Sequence, residues 1–121
     1  MRIVTPHIPD KKAVFCLTRS SYKALREAGV KVYEYTPGFV HAKMCISDDV
    51  AAFVGTINMD FRSLTHHYEC GVVLYQSGCI KDIKADFEHT FEVSQYIDDS
   101  FKLSVGAKII NALLALFRVM F

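Results

Sequence analysis

Between Val30 and Val54 three strand-patterned segments follow one another with only turn residues between them, and this run limits the fold more than any other part of the chain. Val30 to Tyr35 (VKVYEY) alternates as a half-buried strand does, and Thr36-Pro37-Gly38 turns it. Phe39 to Ser47 (FVHAKMCIS) reads as the next strand, Asp48-Asp49 turns the chain again, and Val50 to Val54 (VAAFV) is an apolar strand with Gly55 at its end. Upstream, Met1 to Thr5 (MRIVT) is a short strand pattern stopped by Pro6. A helix is predicted from an N-cap at Asp10 through KKAVFCLTRSSYKALREAG, with Val14, Leu17, Ala24, Leu25 and Ala28 at three- and four-residue steps and Gly29 as its stop. Downstream, Tyr68 to Tyr75 (YECGVVLY) is a further strand, and Ile80, Ile83, Phe87 and Phe91 share one face of a helix predicted from about Ile80 to Tyr96. The order β-α-β-β-β-β-α predicts an α/β fold over residues 1–100, a mixed β-sheet flanked by helices.

The chain has 121 residues, 51% of them hydrophobic, which suits one small domain with a packed core and excludes a disordered or low-complexity segment. Its net charge of +1 gives no reason to expect a nucleic-acid partner. The charge is unevenly placed: residues 1–47 carry eight Lys/Arg against three acids, residues 48–100 three against ten, and residues 101–121 three against none. An anionic ligand is therefore expected to meet mainly the first third and the tail. Cys16, Cys45, Cys70 and Cys79 form no CxxC or Cys/His cluster. Neither a structural zinc site nor a disulfide framework is expected, but reduced cysteines buried as small hydrophobes, in a chain whose first ten residues lack a secretory signal.

Residues 101–121 have a different character. Ser104, Lys108, Asn111, Ala115 and Arg118 fall in one narrow stripe at helical spacing, and nearly everything else from Leu103 to Phe121 is apolar. The two charges argue against a membrane span, and the stripe predicts an amphipathic C-terminal helix. It either lies on lipid, with Lys108 and Arg118 toward phosphates and Leu113, Leu114, Phe117 and Phe121 in the acyl boundary, or packs on the protein.

The chemistry concentrates between His41 and Glu69 (HAKMCISDDVAAFVGTINMDFRSLTHHYE). His41 and Lys43 are two apart on a predicted strand and so leave the same face. The next strand brings Gly55, Thr56 and Asn58 back beside them, and Glu69 opens the one after. An imidazole can attack phosphorus or give a proton to a leaving alkoxide. A lysine and an amide can hold non-bridging phosphoryl oxygens, a hydroxyl adds a donor, and a carboxylate can fix the imidazole tautomer. No metal or other cofactor is needed for such attack on a phosphodiester.

His41, Lys43 and Asp48, with Gly55, Thr56 and Asn58, reproduce the H-x-K-x4-D and x6-G-S/T-x-N signature, and the chain resembles the phospholipase D superfamily. Glu69 matches the downstream acid. TPHIPDKK, RSSYKALREAGVKVYEYTPGFVHAK, VGTINMDFRSL and YECGVVLY are similar to the C-terminal half of bacterial cardiolipin synthases, from Met1 to about Tyr96. The resemblance implies a phospholipase D-like half domain lacking its first strand and helix. It also implies phosphatidyl transfer between two phosphatidylglycerols, giving cardiolipin and glycerol through a phosphohistidine-type intermediate. His41 would then be nucleophile or general acid. Lys43 and Asn58 would bind the phosphoryl group with Thr56 in support, Glu69 would orient His41, and Asp48 would hold the motif together. One signature is present where the family joins two, so a second is expected from an N-terminal half or from a homodimer partner. The expected setting is peripheral, on anionic lipid at the cytoplasmic face of the bacterial membrane. Two other functions fit the same residues: a homodimeric single-motif phosphodiesterase or nuclease, and an inactive lipid-binding remnant.

Overall fold

The computed structural model describes residues 1–115, which divide into two compact units: residues 1–40 with residues 93–115, and residues 41–92. Both units are three-stranded sheets with helices, so the α/β class holds while the strands are shared between two sheets.

In the first unit β1 (Arg2–Pro6) runs parallel to β2 (Lys31–Tyr35), and β6 (Ser94–Tyr96) lies antiparallel on the other side of β2. A parallel pair needs a crossover, supplied here by α1 (Lys12–Ser20) and α2 (Tyr22–Glu27). One continuous helix is predicted over this stretch, but the structure breaks it at Ser21. Thr18, Ser20 and Ser21 turn their hydroxyls back onto the carbonyls of Val14 and Leu17, competing with the helical ladder. The N-cap position falls on Lys11 rather than Asp10, without a side-chain bond. Gly29 ends α2 as predicted: its φ is +79°, and Val30 N–H and Gly29 N–H donate to Leu25 O and Arg26 O. The break lets Tyr22 enter the core with Val32 and Ile97, against which Ile3, Leu25, Val30 and Phe101 pack.

The buried face of β2 carries Val32 and Glu34, and its tyrosines lie on the half-buried opposite face, where Tyr33 meets Tyr96 with ring centroids 5.3 Å apart. Glu34 is 1% exposed and ionic. Arg19 donates to both its oxygens (2.7 and 2.6 Å), Tyr22 Oη–H donates to Oε1 (2.9 Å), and His7 Nδ1 lies 2.7 Å from Oε2. Burial alone would raise the Glu34 pKa, but the bonds from Arg19, His7 and Tyr22 outweigh it and hold the value below the ordinary carboxylate range. Arg19 is thereby committed to this carboxylate.

The second unit is the antiparallel sheet β3 (Met44–Ser47), β4 (Ala51–Gly55) and β5 (Gly71–Tyr75), with α4 (Ile80–Glu92) packed on β3. Asp48 and Asp49 turn β3 into β4 with φ of +52° and +57°, a left-handed pair that aspartate tolerates better than most residues. Lys84 of α4 clamps Asp49. Between β4 and β5 lies α3 (Phe61–Thr65), too short to leave a periodic signal and capped by Asp60, whose Oδ1 accepts from Ser63 N–H at 2.7 Å. The helix predicted through Tyr96 stops at Glu92, and Ser94–Tyr96 forms β6, where Thr36 Oγ1 donates to Val93 O and Ile97 N–H to Val32 O. Cys45, Cys70 and Cys79 are exposed and Cys16 is half-buried, contrary to the expected buried thiols.

The C-terminal helix is present as α5 (Val105–Ala115), and its predicted continuation to Phe121 lies outside the described residues. Ser104 Oγ caps it by accepting from Ala107 N–H. Asn111, in the middle of the polar stripe, is buried, and neither its amide nitrogen nor its oxygen has a hydrogen-bond partner among the described residues. Val105, Ile109, Ile110 and Leu113 face outward. The stripe thus turns toward the protein at Asn111, and much of the apolar surface toward solvent.

Candidate active site

One open cavity of about 340 Å³ in the second unit is lined by His41, Lys43, Gly55, Thr56, Asn58 and Glu69. That volume is in the range of small-ligand sites. Of the seven residues singled out by sequence, six meet here. The seventh, Asp48, stands at the opposite end of β3 from Lys43, in the left-handed turn, where its carboxylate accepts from Ser47 Oγ–H at 2.9 Å. It is away from the cavity and shapes the hairpin.

His41 and Lys43 lie in irregular chain just before β3, not inside a strand as predicted. The reason is the end of β4. Gly55 N–H donates to Lys43 O, but Thr56 N–H turns to Cys70 O on the β5 side, so nothing continues the β3 ladder past Lys43. Lys43 Nζ donates to His41 O at 2.8 Å. An ammonium has three N–H groups, and one here fixes the local loop.

Thr56 Oγ1–H donates to Glu69 Oε2 at 2.5 Å, and Thr56 Oγ1 in turn accepts from Cys70 N–H at 3.0 Å. His67 Nδ1 lies 3.6 Å from Glu69 Oε1. The Glu69 pKa is lowered by the Thr56 hydroxyl first, then by Ser63, with burial opposing and His67 adding attraction. These bonds favour the charged form of Glu69 over that of a free glutamate. Asn58 Nδ2–H donates to Ser63 Oγ at 3.3 Å, which ties the amide to α3. Ser63 was not legible as a site residue: a serine next to an arginine carries no motif signal, and only α3 folds it inward. A negative, fixed carboxylate, an imidazole, an ammonium, a hydroxyl and an amide around one open cavity are equipped to receive a phosphodiester.

The backbone around the cavity is tight. A Cβ on Gly55 would stand 2.5 Å from Cys70 O and 2.7 Å from Gly71 Cα, its partner across β4 and β5. On Gly71 the closest atoms are those of the Phe53 ring at 2.3 Å, which can turn aside. Gly55→Ala is expected to destabilise by about 1–3 kcal/mol, and Gly71→Ala by less, read from urea midpoints at unchanged slope. Equal costs would mean that the backbone pair, not the ring, gives way.

The sequence model described as "Cardiolipin synthase, PLD-like domain" matches residues 1–91. The chain belongs to this family. It is 44% identical over 98 residues to a cardiolipin synthase of Geobacillus sp., covering 81% of this chain and 20% of that protein. Against a cardiolipin synthase of Halalkalibacterium halodurans the identity is 43% over 97 residues, covering 80% and 19%. An uncharacterized protein of Streptococcus mutans is 49% identical over 118 residues, covering 96% and 26%. The chain thus spans about a fifth to a quarter of the length of these relatives.

Proposed function

We propose that this chain is the C-terminal catalytic part of a cardiolipin synthase, transferring a phosphatidyl group from one phosphatidylglycerol to another. The observation that carries the proposal is the meeting of His41, Lys43, Thr56, Asn58 and Glu69 around one cavity in a chain of this family. In the first step a ring nitrogen of His41 forms a bond to phosphorus, and the bond to the glycerol oxygen breaks. The departing glycerol takes a proton from a general acid. Lys43 and Asn58 hold the non-bridging oxygens as charge grows, and Thr56 keeps Glu69 in place. In the second step a hydroxyl of the other phosphatidylglycerol attacks phosphorus, its proton goes to the group that served as acid, and His41 leaves. With His41 as nucleophile that acid must be a different group, so the reaction calls for a second His-Lys-Asp motif from an N-terminal half or a second copy. If His41 is instead the acid, the same division of labour runs in reverse.

The setting proposed is the cytoplasmic face of the bacterial membrane, held peripherally. No helix among the described residues is long and apolar enough to cross a bilayer, and α5 presents Ile109 and Leu113 outward. Ile109→Ser/Leu113→Ser is expected to reduce co-sedimentation with phosphatidylglycerol vesicles by about tenfold without loss of helical signal. Unchanged binding would remove α5 from the membrane contact.

Labelled glycerol tests the transfer itself. A phosphatidyl-enzyme must return its phosphatidyl group to added glycerol, so label should enter phosphatidylglycerol when the chain is paired with a second motif. Glu69→Gln is expected to lower this turnover by about 100-fold or more while changing lipid binding little, because a positioning carboxylate acts on the imidazole as it becomes charged. Equal losses in binding and turnover would make Glu69 a structural residue.

A further inference from the structure

The one buried residue of α3 is a serine. Ser63 is 5% exposed while Phe61, Arg62, Leu64 and Thr65 all lie in the open, so what folds α3 inward is a hydroxyl and not an apolar side chain. A buried hydroxyl calls for partners, and Ser63 has one on each side of the cavity. Its Oγ accepts from Asn58 Nδ2–H at 3.3 Å, and it also makes a hydrogen bond to Glu69 that favours the charged carboxylate. An ionised carboxylate only accepts, so the single proton of the hydroxyl goes to Glu69 and Ser63 can only accept from Asn58. That decides which end of the Asn58 amide meets Ser63: the nitrogen, not the carbonyl. One N–H is spent there, and the amide carries a second.

We propose that Ser63 is a positioning residue of the transfer site: by giving its proton to Glu69 and a lone pair to Asn58, it fixes the amide so that the second N–H of Asn58 meets a phosphoryl oxygen. This role rests on the phosphatidyl-transfer reading and adds to it what orients the phosphate-binding amide. Without the hydroxyl the amide is free to turn over and present its carbonyl, which repels a phosphate oxygen. Ser63 also joins Thr56 in spreading the charge of Glu69, so that a carboxylate and a phosphate can share one cavity. The other titratable groups around Glu69 are His67, 3.6 Å from Oε1, and His41 and Lys43, which line the same cavity. Packing alone asks for no hydroxyl here, and the helix cap asks for none either, since Asp60 accepts from the backbone N–H of Ser63.

Ser63→Ala therefore removes the link and keeps the cap. In the full chain, nuclear magnetic resonance would follow the Asn58 side-chain amide, identified by its loss in Asn58→Asp, and the Glu69 carboxyl carbon, identified by its loss in Glu69→Gln. Inorganic phosphate should shift the amide signals of the parent. Ser63→Ala should weaken that phosphate binding by about tenfold, the size of one hydrogen bond to a charged group, and move the Glu69 titration to higher pH. If the circular dichroism of Ser63→Ala shows a lost fold, Ser63→Cys, which keeps the shape with a weaker donor, is read in its place. The positioning role is overturned if phosphate affinity stays within about twofold of the parent, whatever the titration does. It is also overturned if phosphate leaves the Asn58 amide of the parent unmoved. Glycerol exchange, measured in parallel with a second motif supplied, separates the two readings. Exchange that Ser63→Ala leaves unchanged removes the role of Ser63 alone. Phosphate binding that depends on Ser63, in a parent without exchange, keeps Ser63 as the organiser of an anion site and removes the transferase.

Discussion

Replacing His41 with alanine is expected to reduce phosphatidyl transfer by about 10⁴-fold or more, with the circular dichroism spectrum and urea midpoint unchanged. The size follows from the role: without the imidazole there is no phosphohistidine and no proton donor from this half, and removing such a group commonly costs that much. The intact fold follows from position. His41 is exposed, precedes β3, and belongs to no buried cluster. Transfer would be measured with a second motif supplied. Activity within tenfold of the parent would remove His41 from the mechanism and leave the cavity as a binding site only.

The largest effect on stability is expected at a residue outside the cavity. Glu34→Ala should destabilise the chain by about 3–5 kcal/mol, because it leaves the Arg19 guanidinium without its buried counter-charge and Tyr22 Oη–H with only Thr5 Oγ1, 2.6 Å away, to accept from it. Replacing both ions, as Arg19→Met/Glu34→Leu, should cost less than the single change, since two apolar groups leave no charge unpaired. The same carboxylate makes stability depend on pH. Its folded pKa is lowered from the ordinary value of 4.5, so the unfolded chain takes up a proton there first as pH falls. Its stabilisation is full above about pH 4.5 and is lost as pH drops from there through the folded value. Urea titrations from pH 7 to pH 3 on parent and Glu34→Ala would show this as a difference that narrows on the acid side. A constant difference would mean that Glu34 acts through packing.

Where a feature depends on neighbours in sequence, it was legible. Gly29 ends its helix, the alternation from Lys31 to Tyr35 is a strand, and the spacing of His41, Lys43, Thr56, Asn58 and Glu69 foretold residues that do share one cavity. Where a feature depends on which face meets which partner, the sequence was mute. Period two in β2 placed Val32 with Glu34 but could not say that an acid would be the buried one, because its four donor bonds come from Arg19, Tyr22 and His7. The stripe in α5 was visible, yet not that Asn111 turns inward. Ser94–Tyr96 joined β2 because an open strand edge was there to pair with, which no local period records. Residues 41–43 carry strand-like alternation but lack a ladder, since β4 ends at Gly55.

The central claim is that the cavity transfers a phosphatidyl group, and product stoichiometry tests it most directly. The purified chain would be incubated with phosphatidylglycerol vesicles, alone over a range of concentrations and mixed with the N-terminal half of the Geobacillus relative. Mass spectrometry should find cardiolipin and glycerol in equal amounts, rising steeply with concentration or on mixing, and absent with His41→Ala. Cleavage of DNA or of a soluble diester by the folded protein, with no cardiolipin in any arrangement, would contradict the claim.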